Sequence, residues 1–289
     1  MTKPKILIQL DTDPHCSVFD AVVALDTGVE HLLPYAGVEP SGVRDLVHGA
    51  MFTRGTGDLH RTAVFIGGSD VTAGERVLAA VAETFFGPMR VSVLLDSNGA
   101  NTTAAAAVLA AARHHELSNA RVLVMAGTGP VGQRVARLLA RQGAVVRLAS
   151  RRYSRASEVC DRLSQRIPGA RFEPCETADP ASTAQALQTA SVVIAAGSAG
   201  VELLPAEIWQ AEPELKVAVD LNAVPPAGIG GVEPLDRAVS RNGVLTYGAL
   251  GVGADKMRIH RAAIQCLFQQ KDAVLDAEEV FDIGRQVLS

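Results

Sequence analysis

The stretch that decides the fold is Arg121-Val122-Leu123-Val124-Met125-Ala126-Gly127-Thr128-Gly129-Pro130-Val131-Gly132. Its first six residues are typical of a buried strand, and a helix with one apolar face is predicted to follow. A G-x-G-x-x-G spacing alone is weak evidence of a ligand. Placed between a strand and a helix, with another strand to come, it predicts a dinucleotide-binding βαβ unit.

The chemistry of this turn explains its glycines. Gly127 allows the tight turn, Gly129 lets the backbone approach a pyrophosphate, and Gly132 lets the helix pack close to the sheet. The pyrophosphate would lie on free N–H groups at the positive end of the helix dipole. We therefore expect the cofactor to contact the whole run from Gly127 to Gly132, including Thr128, Pro130 and Val131.

The end of the next strand indicates which dinucleotide is bound. An NAD site has Asp or Glu there for the ribose 2′-hydroxyl, whereas this chain has Ser150, Arg151 and Arg152. A hydroxyl and two guanidinium groups suit a 2′-phosphate. We predict NADP, with NAD as the alternative; Arg155, one turn on, is equally consistent with a solvated side chain.

Strand and helix signals alternate along the whole chain, which predicts an α/β fold. The expected strands are 5–10, 31–35, 62–66, 91–95, 121–126, 144–149, 171–175, 191–196, 216–221 and 244–247. The short connections predict mostly parallel sheets. We expect two domains with a cleft between them: residues 1–104, completed by helices in 255–289, and a Rossmann-type domain at 105–254.

The helix signals are more local. Val18, Ala21, Val22 and Leu25 recur at the spacing of one buried helix face. Ser41 is predicted to cap a helix over 41–49, and Asp70 a helix to about residue 84. A helix is expected from Asn101 to about residue 116, and two more after Gly253.

Composition limits the class of protein. The 289 residues are 48% hydrophobic and 20% charged, with a formal net charge of −4. This charge argues against a nucleic-acid surface, and no apolar run reaches the roughly 20 residues of a membrane span. The four cysteines have neither disulfide nor metal-ligand spacing. The sequence predicts a cytoplasmic enzyme without a metal.

Polar residues recur where strands of the first domain end. Carboxylates, amides and hydroxyls at one sheet edge suit a nitrogen-rich heterocycle, although Ser17, Thr102 and Thr103 are equally typical of helix caps. The candidate substrate ligands are Asp11, Asp13, Ser17, Asp20, Thr53, Arg54, Asp96, Asn98, Thr102 and Thr103.

The loops after later strands are expected around the nicotinamide, through Ala196, Gly197, Asn222 and Gly248. We expect glycines 248–253 to let the backbone approach a ligand. Lys256 follows them, and its helix position favours a cleft-facing side chain over one that reaches solvent. His260 and the other histidines considered lack a nucleophile or metal context and are interpreted as surface or packing residues.

These motifs together resemble the bacterial NAD(P)-dependent methylene-tetrahydromethanopterin dehydrogenases of one-carbon metabolism. The resemblance extends over essentially the whole chain and rests on segments in the same order: 9–13, 17–20, 53–55, 90–92, 96–99, 101–105, 126–132, 202–205, 225–231, 247–251 and 276–279.

The resemblance implies a reversible hydride transfer from a reduced pterin, which serves either formaldehyde oxidation or the supply of one-carbon units. The methylene carbon between two nitrogens would lose hydride to give a methenyl cation, so the protein mainly positions the rings. It also implies a homo-oligomer, and a lysine near the pterin that corresponds to Lys256. We assign Lys256 and Asp20 as the catalytic candidates.

Three alternatives remain at this point. The same chemistry on tetrahydrofolate is the nearest, since no short motif separates the two carriers. A two-domain dehydrogenase of the shikimate type would need a positioned Lys/Asp pair, for which only Lys256 with Asp20 or Asp96 is available. The third is a regulator that binds NADP or a pterin without turnover.

Overall fold

The computed structural model describes residues 3–289. The chain forms two compact units. The first comprises the chain up to Thr102 together with Met257–Ser289, and the second is Thr103–Lys256.

The described residues form twelve strands and ten α-helices, which alternate over most of the chain. The strands are β1 Ile6–Asp11, β2 His31–Tyr35, β3 Thr62–Gly67, β4 Ser92–Leu95, β5 Arg121–Met125, β6 Val145–Ser150, β7 Arg171–Glu176, β8 Val192–Ala195, β9 Val217–Asp220, β10 Arg237–Arg241, β11 Val244–Tyr247 and β12 Val274–Leu275. The helices are α1 Val18–Asp26, α2 Val43–Phe52, α3 Val71–Thr84, α4 Ala100–Ala112, α5 Pro130–Arg141, α6 Tyr153–Arg166, α7 Pro180–Leu187, α8 Ala206–Trp209, α9 Ala249–Cys266 and α10 Ala277–Leu288.

The first unit contains a parallel five-stranded sheet in the order β12-β4-β3-β1-β2. One face carries Ile8, Leu10, Val64 and Ile66, which pack with apolar residues of α2 and α3 in a single core. The strand order reverses between β1 and β3, so ligands are expected at the carboxyl ends of these two strands.

The second unit contains a seven-stranded sheet in the order β10-β11-β9-β8-β5-β6-β7. All neighbours are parallel except β10, which runs antiparallel to β11. Its core includes the fully buried Trp209, whose indole N–H donates to the Gly230 carbonyl at 2.9 Å. Here the order reverses between β5 and β8, which places the switch point beside the glycine turn.

The predicted fold class is confirmed, and each predicted strand lies within one residue of an observed strand at both ends. Two strands were missed. The two-residue β12 exists only through its pairing with β4, and β10 lies in a polar stretch whose residues are mostly exposed. β12 has no local periodic signal, because it forms only through tertiary pairing. β10 does have a local signal, which our strand prediction did not use: Asn242-Gly243, with left-handed φ values of 49° and 81°, forms the hairpin turn to β11.

Several helix predictions are wrong in detail. In α1 the buried residues are Val23 and Ala24, whereas Val18, Val22 and Leu25 are exposed. Nearly every residue of this helix is apolar, so spacing alone cannot select the buried face.

Three helix ends also differ from prediction. Ser41 lies in a 3-10 turn, and the cap position of α2 is Gly42. Helix α4 ends at Ala112 rather than near residue 116, and α9 begins at Ala249, before Gly253.

Candidate functional site

The glycine turn at the switch point of the seven-stranded sheet is built by close backbone packing. A Cβ at Gly127 would lie 2.7 Å from Leu148 Cγ, and one at Gly132 would lie 2.7 Å from Gly127 Cα. A Cβ at Gly129 meets nothing nearer than the Ala126 carbonyl oxygen at 3.4 Å. Close packing within the fold therefore requires glycine at positions 127 and 132, while the space beside Gly129 is open to a ligand.

Hydrogen bonds hold this turn in place. The Gly127 N–H donates to Ala149 O at 2.9 Å, and Gln133 Nε2 donates to Thr128 O at 2.8 Å. Gly129 is the N-cap residue of α5, and Pro130 is its first residue, where a missing N–H costs nothing. The free N–H groups of the first turn, with the positive helix end, fit the pyrophosphate of a dinucleotide.

The end of β6 presents the groups expected for a 2′-phosphate. Ser150 is half-buried, whereas Arg151 and Arg152 are exposed, and neither guanidinium has a hydrogen-bond or ion-pair partner within residues 3–289. Arg155 differs, because it pairs with Glu158 at 3.4 Å. Glu176, the acidic residue on the neighbouring strand, accepts from the Tyr153 N–H at 3.3 Å. The two unpaired arginines remain available to an anion.

The loop after β9 is organised by its own polar groups. Asn222 is buried; its Oδ1 accepts from the N–H of Val224 at 3.0 Å and its Nδ2 donates to Pro226 O at 2.9 Å. Asp220 was missed in the sequence and is also buried. Burial raises the pKa of Asp220, and backbone N–H groups, including that of Ile229, oppose the rise. Both side chains therefore shape the loop through hydrogen bonds to its backbone.

Ala196 and Gly197 follow β8, at the other side of the switch point. The Ala196 N–H donates to Met125 O at 3.1 Å, which fixes this loop against the end of β5. A Cβ at Gly197 would meet Leu203 Cδ1 at 2.5 Å, so this glycine too serves close packing. Both residues are half-buried beside the glycine turn.

The glycines after β11 have a packing role that differs from our prediction. A Cβ at Gly248 would lie 2.0 Å from Glu233 O, and one at Gly251 would lie 1.9 Å from Asp236 O. Residues 249–253 form the first turn of α9 rather than a loop. These glycines admit the backbone of residues 233–236, and no ligand is needed to explain them.

Lys256 lies in the second turn of α9. It is half-buried and has no ion-pair or hydrogen-bond partner within residues 3–289. Its neighbour Asp255 is buried and pairs with Arg113 at 2.5 Å and with Arg237 at 3.1 Å. The helix is thus anchored beside a lysine whose ammonium group is left free.

In the first unit, Asp11 and Asp13 organise the carboxyl ends of β1 and β3. Asp11 is buried and accepts from the N–H groups of Asp13 at 3.0 Å and Ser17 at 2.9 Å. Asp13 accepts from the N–H and the hydroxyl of Ser69, both at 2.9 Å. Ser17 in turn caps α1 through Asp20 N at 3.2 Å. Burial, followed by the charge of Asp11, raises the pKa of the nearby Cys16 thiol.

Asp96, Asn98 and Thr102 form the neighbouring part of this edge. Asp96 is buried and accepts from the Thr102 hydroxyl at 2.7 Å and from its N–H at 3.0 Å. Asn98 is exposed, has a left-handed φ of 53°, and donates its N–H to Gly68 O at 2.7 Å. Thr103 is half-buried at the start of the second unit. Of these residues, Asn98 is the most accessible to a substrate.

Asp20 has a neighbour that the sequence did not reveal. His260 Nε2 lies 3.9 Å from Asp20 Oδ1, and the imidazole stacks on Phe65 at 5.8 Å between ring centroids. His260 is fully buried and four residues beyond Lys256 on α9. No short motif connects residues 240 positions apart, so only the fold could identify this pair.

Thr53 and Arg54 lie away from the other candidates. Arg54 Nη2 donates to the carbonyl of Pro4, just before β1 begins, at 3.1 Å. Asp11 ends the same strand, roughly 20 Å further on at about 3.3 Å per residue. The structure therefore does not bring these two residues to the edge that carries Asp11 and Asp96.

Residues 3–289 contain no group of three or more His, Cys, Asp or Glu side chains placed to hold a metal ion. Across the same residues, every helix is too short or too polar to cross a membrane.

The chain matches one family model and is similar along its length to two relatives. The family model for the N-terminal domain of methylene-tetrahydromethanopterin dehydrogenase matches residues 18–98. The bifunctional protein MdtA of Methylorubrum extorquens is 44% identical over 98% of this chain and 99% of its own length. An NAD(P)-dependent methylenetetrahydromethanopterin dehydrogenase of the same organism is 31% identical, covering 98% of each chain.

A solved structure supports the fold alone. Shikimate 5-dehydrogenase from Listeria monocytogenes, in complex with shikimate and NAD, has 15% identity and a TM-score of 0.58. The match covers 99% of this chain and 96% of that one.

Proposed function

Because the chain belongs to the methylene-tetrahydromethanopterin dehydrogenase family, we propose that it transfers a hydride reversibly from methylene-tetrahydromethanopterin to NADP, with NAD as the alternative acceptor. The observation that carries the proposal in this structure is the open space beside Gly129 at the N-terminus of α5, at the switch point of the seven-stranded sheet. The product is methenyl-tetrahydromethanopterin.

The second unit holds the dinucleotide in this proposal. The N–H groups at the start of α5 bind the pyrophosphate, and Ser150, Arg151 and Arg152 bind the 2′-phosphate. The loops at 196–197 and 222–223 border the nicotinamide. When bound, NADP accepts the hydride at C4 of its nicotinamide ring.

The first unit holds the pterin through the polar groups of one sheet edge. Asp13, Asn98 and Asp20 retain some exposure, and they supply acceptors and donors for the N–H groups and ring nitrogens of a pterin. Asp11, Asp96 and Thr102 are occupied by their own hydrogen bonds and position these loops. Substrate contacts thus fall on fewer side chains than the sequence indicates.

The hydride transfer requires little acid–base catalysis by the protein. The lone pairs of the two adjoining nitrogens stabilise the cation that remains on the methylene carbon, so no strong base is needed there. The chain's residues orient the substrate and exclude water. Lys256, with its free ammonium group, orients the pterin, and Asp20 with His260 fixes the edge of the substrate site.

Turnover of the purified protein tests the proposal. Reduction of NADP and NAD is followed with methylene-tetrahydromethanopterin and, separately, with methylene-tetrahydrofolate. Turnover with methanopterin and NADP is the expected result. Faster turnover with the folate would change the substrate assignment to methylene-tetrahydrofolate. NADP binding without turnover of either carrier would favour a regulator that has no catalytic activity.

The role of Lys256 requires its own variant. Lys256→Ala is expected to lower kcat/KM for the pterin at least tenfold while leaving the Kd for NADP unchanged, because the ammonium group acts on the substrate. Arg258→Ala, an exposed cation on the same helix, is the control. Undiminished turnover of Lys256→Ala would remove this residue from the mechanism.

The proposal also includes a homo-oligomer in the cytoplasm. Exposed apolar side chains on α1, namely Val18, Phe19, Val22 and Leu25, support association between copies. Sedimentation of the purified protein and fractionation of cells test these two points.

A further inference from the structure

The first unit contains a cavity that the proposed reaction does not use. Its volume is about 490 Å³, which is the size of a small-molecule site. It lies between α2 and the strands β1 and β2, with Thr62 at the start of β3 on its wall. The cavity extends from Lys3 and Pro4, before β1, to Tyr35, the last residue of β2, and none of Asp13, Asp20 and Asn98 lines it. The polar candidates for the pterin lie at the carboxyl ends of the strands.

Two polar groups on the cavity wall are buried without partners. Arg54 is 9% exposed; its Nη2 donates to Pro4 O, but Nη1 has no hydrogen-bond partner within residues 3–289. Thr62 is 3% exposed, and its hydroxyl is also unpaired within the described chain. Asp58, the nearby carboxylate, pairs with Lys3 at 3.1 Å instead. A buried charged donor without an acceptor is costly, which indicates that an acceptor belongs there.

The other residues of the cavity wall indicate what kind of molecule carries that acceptor. Ile6, Ile8, Leu33 and Leu46 make most of the lining apolar, and Tyr35 adds an aromatic ring. A cavity so lined is better filled by carbon than by water. Asp45 also lines it, and its charge would oppose a dianion such as phosphate more than a monoanion.

We propose that this cavity is a second ligand site, which takes a small organic carboxylate with an apolar body. The carboxylate accepts from Arg54 Nη1 and the Thr62 hydroxyl, and the apolar body lies on Ile8, Leu33 and Leu46. The site is separate from the dinucleotide and pterin residues, and it does not depend on the proposed reaction.

Calorimetric titration of the full-length protein with benzoate and hexanoate tests the site. The matched neutral probes are benzyl alcohol and hexanol, and inorganic phosphate is the anion without an apolar body. At least one carboxylate is expected to bind saturably, at least tenfold more tightly than its alcohol and than phosphate. Equal affinity for the alcohol, tighter binding of phosphate, or no binding of either carboxylate would overturn the proposal.

Three variants locate the binding. Arg54→Met and Thr62→Val each remove one acceptor-binding group, and Thr62→Val keeps the shape of a buried side chain. Gly49→Leu narrows the cavity, since a Cβ there meets nothing within 4 Å. Each is expected to weaken carboxylate binding at least fivefold. Gly49→Leu should keep wild-type nicotinamide turnover and Tm, which shows that the fold is intact.

The control is Thr56→Val, a nearby exposed threonine outside the cavity wall, which is expected to bind the carboxylate as the wild type does. Should Arg54→Met fail to fold, Thr62→Val and Gly49→Leu decide the question. Unchanged carboxylate affinity in both would place the binding elsewhere and overturn the proposal.

Discussion

We expect single residues at the end of β6 to decide the choice of dinucleotide. The double variant Arg151→Ala, Arg152→Ala is expected to raise KM for NADP about 10- to 100-fold, because each charge-assisted hydrogen bond contributes about 1.5–3 kcal/mol before solvent screening. KM for NAD should change less than threefold. Steady-state rates with both dinucleotides measure this. Arg155→Ala is the control, since Arg155 already pairs with Glu158. An equal loss with NAD would contradict the assignment.

In the glycine turn after β5, we expect one glycine to be required for folding and another for ligand binding. Gly132→Ala places a Cβ 2.7 Å from Gly127 Cα, which is backbone and cannot rotate away, so we expect a loss of about 1–3 kcal/mol in unfolding free energy. Gly129→Ala meets nothing nearer than 3.4 Å and should keep nearly wild-type stability while its affinity for NADP falls at least tenfold. Thermal unfolding and NADP titration distinguish the two. Similar stability losses in both variants would disprove the division of roles.

At the scale of elements, the β10–β11 hairpin depends on one carboxylate. Burial by itself would raise the pKa of Asp236, but hydrogen bonds from Arg241 and Thr246 outweigh burial and lower it. A lowered folded-state pKa stabilises the protein above the unfolded pKa of about 3.9, and this stability is lost as pH falls through the folded value.

Asp236→Asn is therefore expected to lower the unfolding free energy by about 1–3 kcal/mol at pH 7, and by less below about pH 4. Denaturant unfolding at several pH values measures the difference. Asp282→Asn is the control, because Asp282 lies in an exposed pair with Arg285 at 3.8 Å and should change stability little. A difference between Asp236→Asn and wild type that persists unchanged at low pH would assign the effect to packing.

The elements also show why sequence periodicity succeeds for some helices and fails for others. Asp70 was predicted as a cap, and it does accept from the N–H groups of Thr72 and Ala73. Such a signal is local to four residues. The buried face of α1 has no such local signal, because the helix is apolar almost all round. Its rotation is fixed instead by Ser17, which caps it, and by Asp11, which accepts from the Ser17 N–H. The capping residue was readable from the sequence, and the face was not.

For the whole molecule, the sequence predicted what lies in one continuous stretch. The glycine turn and the arginines after β6 each fall within a few residues, so the sequence could propose them as ligand-binding groups, and their binding roles stay predictions. The pair of Asp20 and His260 and the cavity at Arg54 bring together distant segments. The polar edge of the first sheet is an intermediate case. The sequence could predict where its strands end, but it could not predict which carboxylate oxygens accept hydrogen bonds from backbone N–H groups.

Each unit should respond to its own ligand within the intact chain. NADP is expected to slow hydrogen exchange at residues 127–133 and 150–155, and NAD only at 127–133, because NAD lacks the 2′-phosphate that we propose the arginines bind. At 100 times its Kd, NADP stabilises the native state by about 2.7 kcal/mol. Methylene-tetrahydromethanopterin alone should protect residues 11–20 and 96–102 in the first unit. Mass spectrometry of the exchanged peptides resolves these segments. Protection of 96–102 by NADP alone, with 127–133 unaffected, would reverse the assignment of ligands to units.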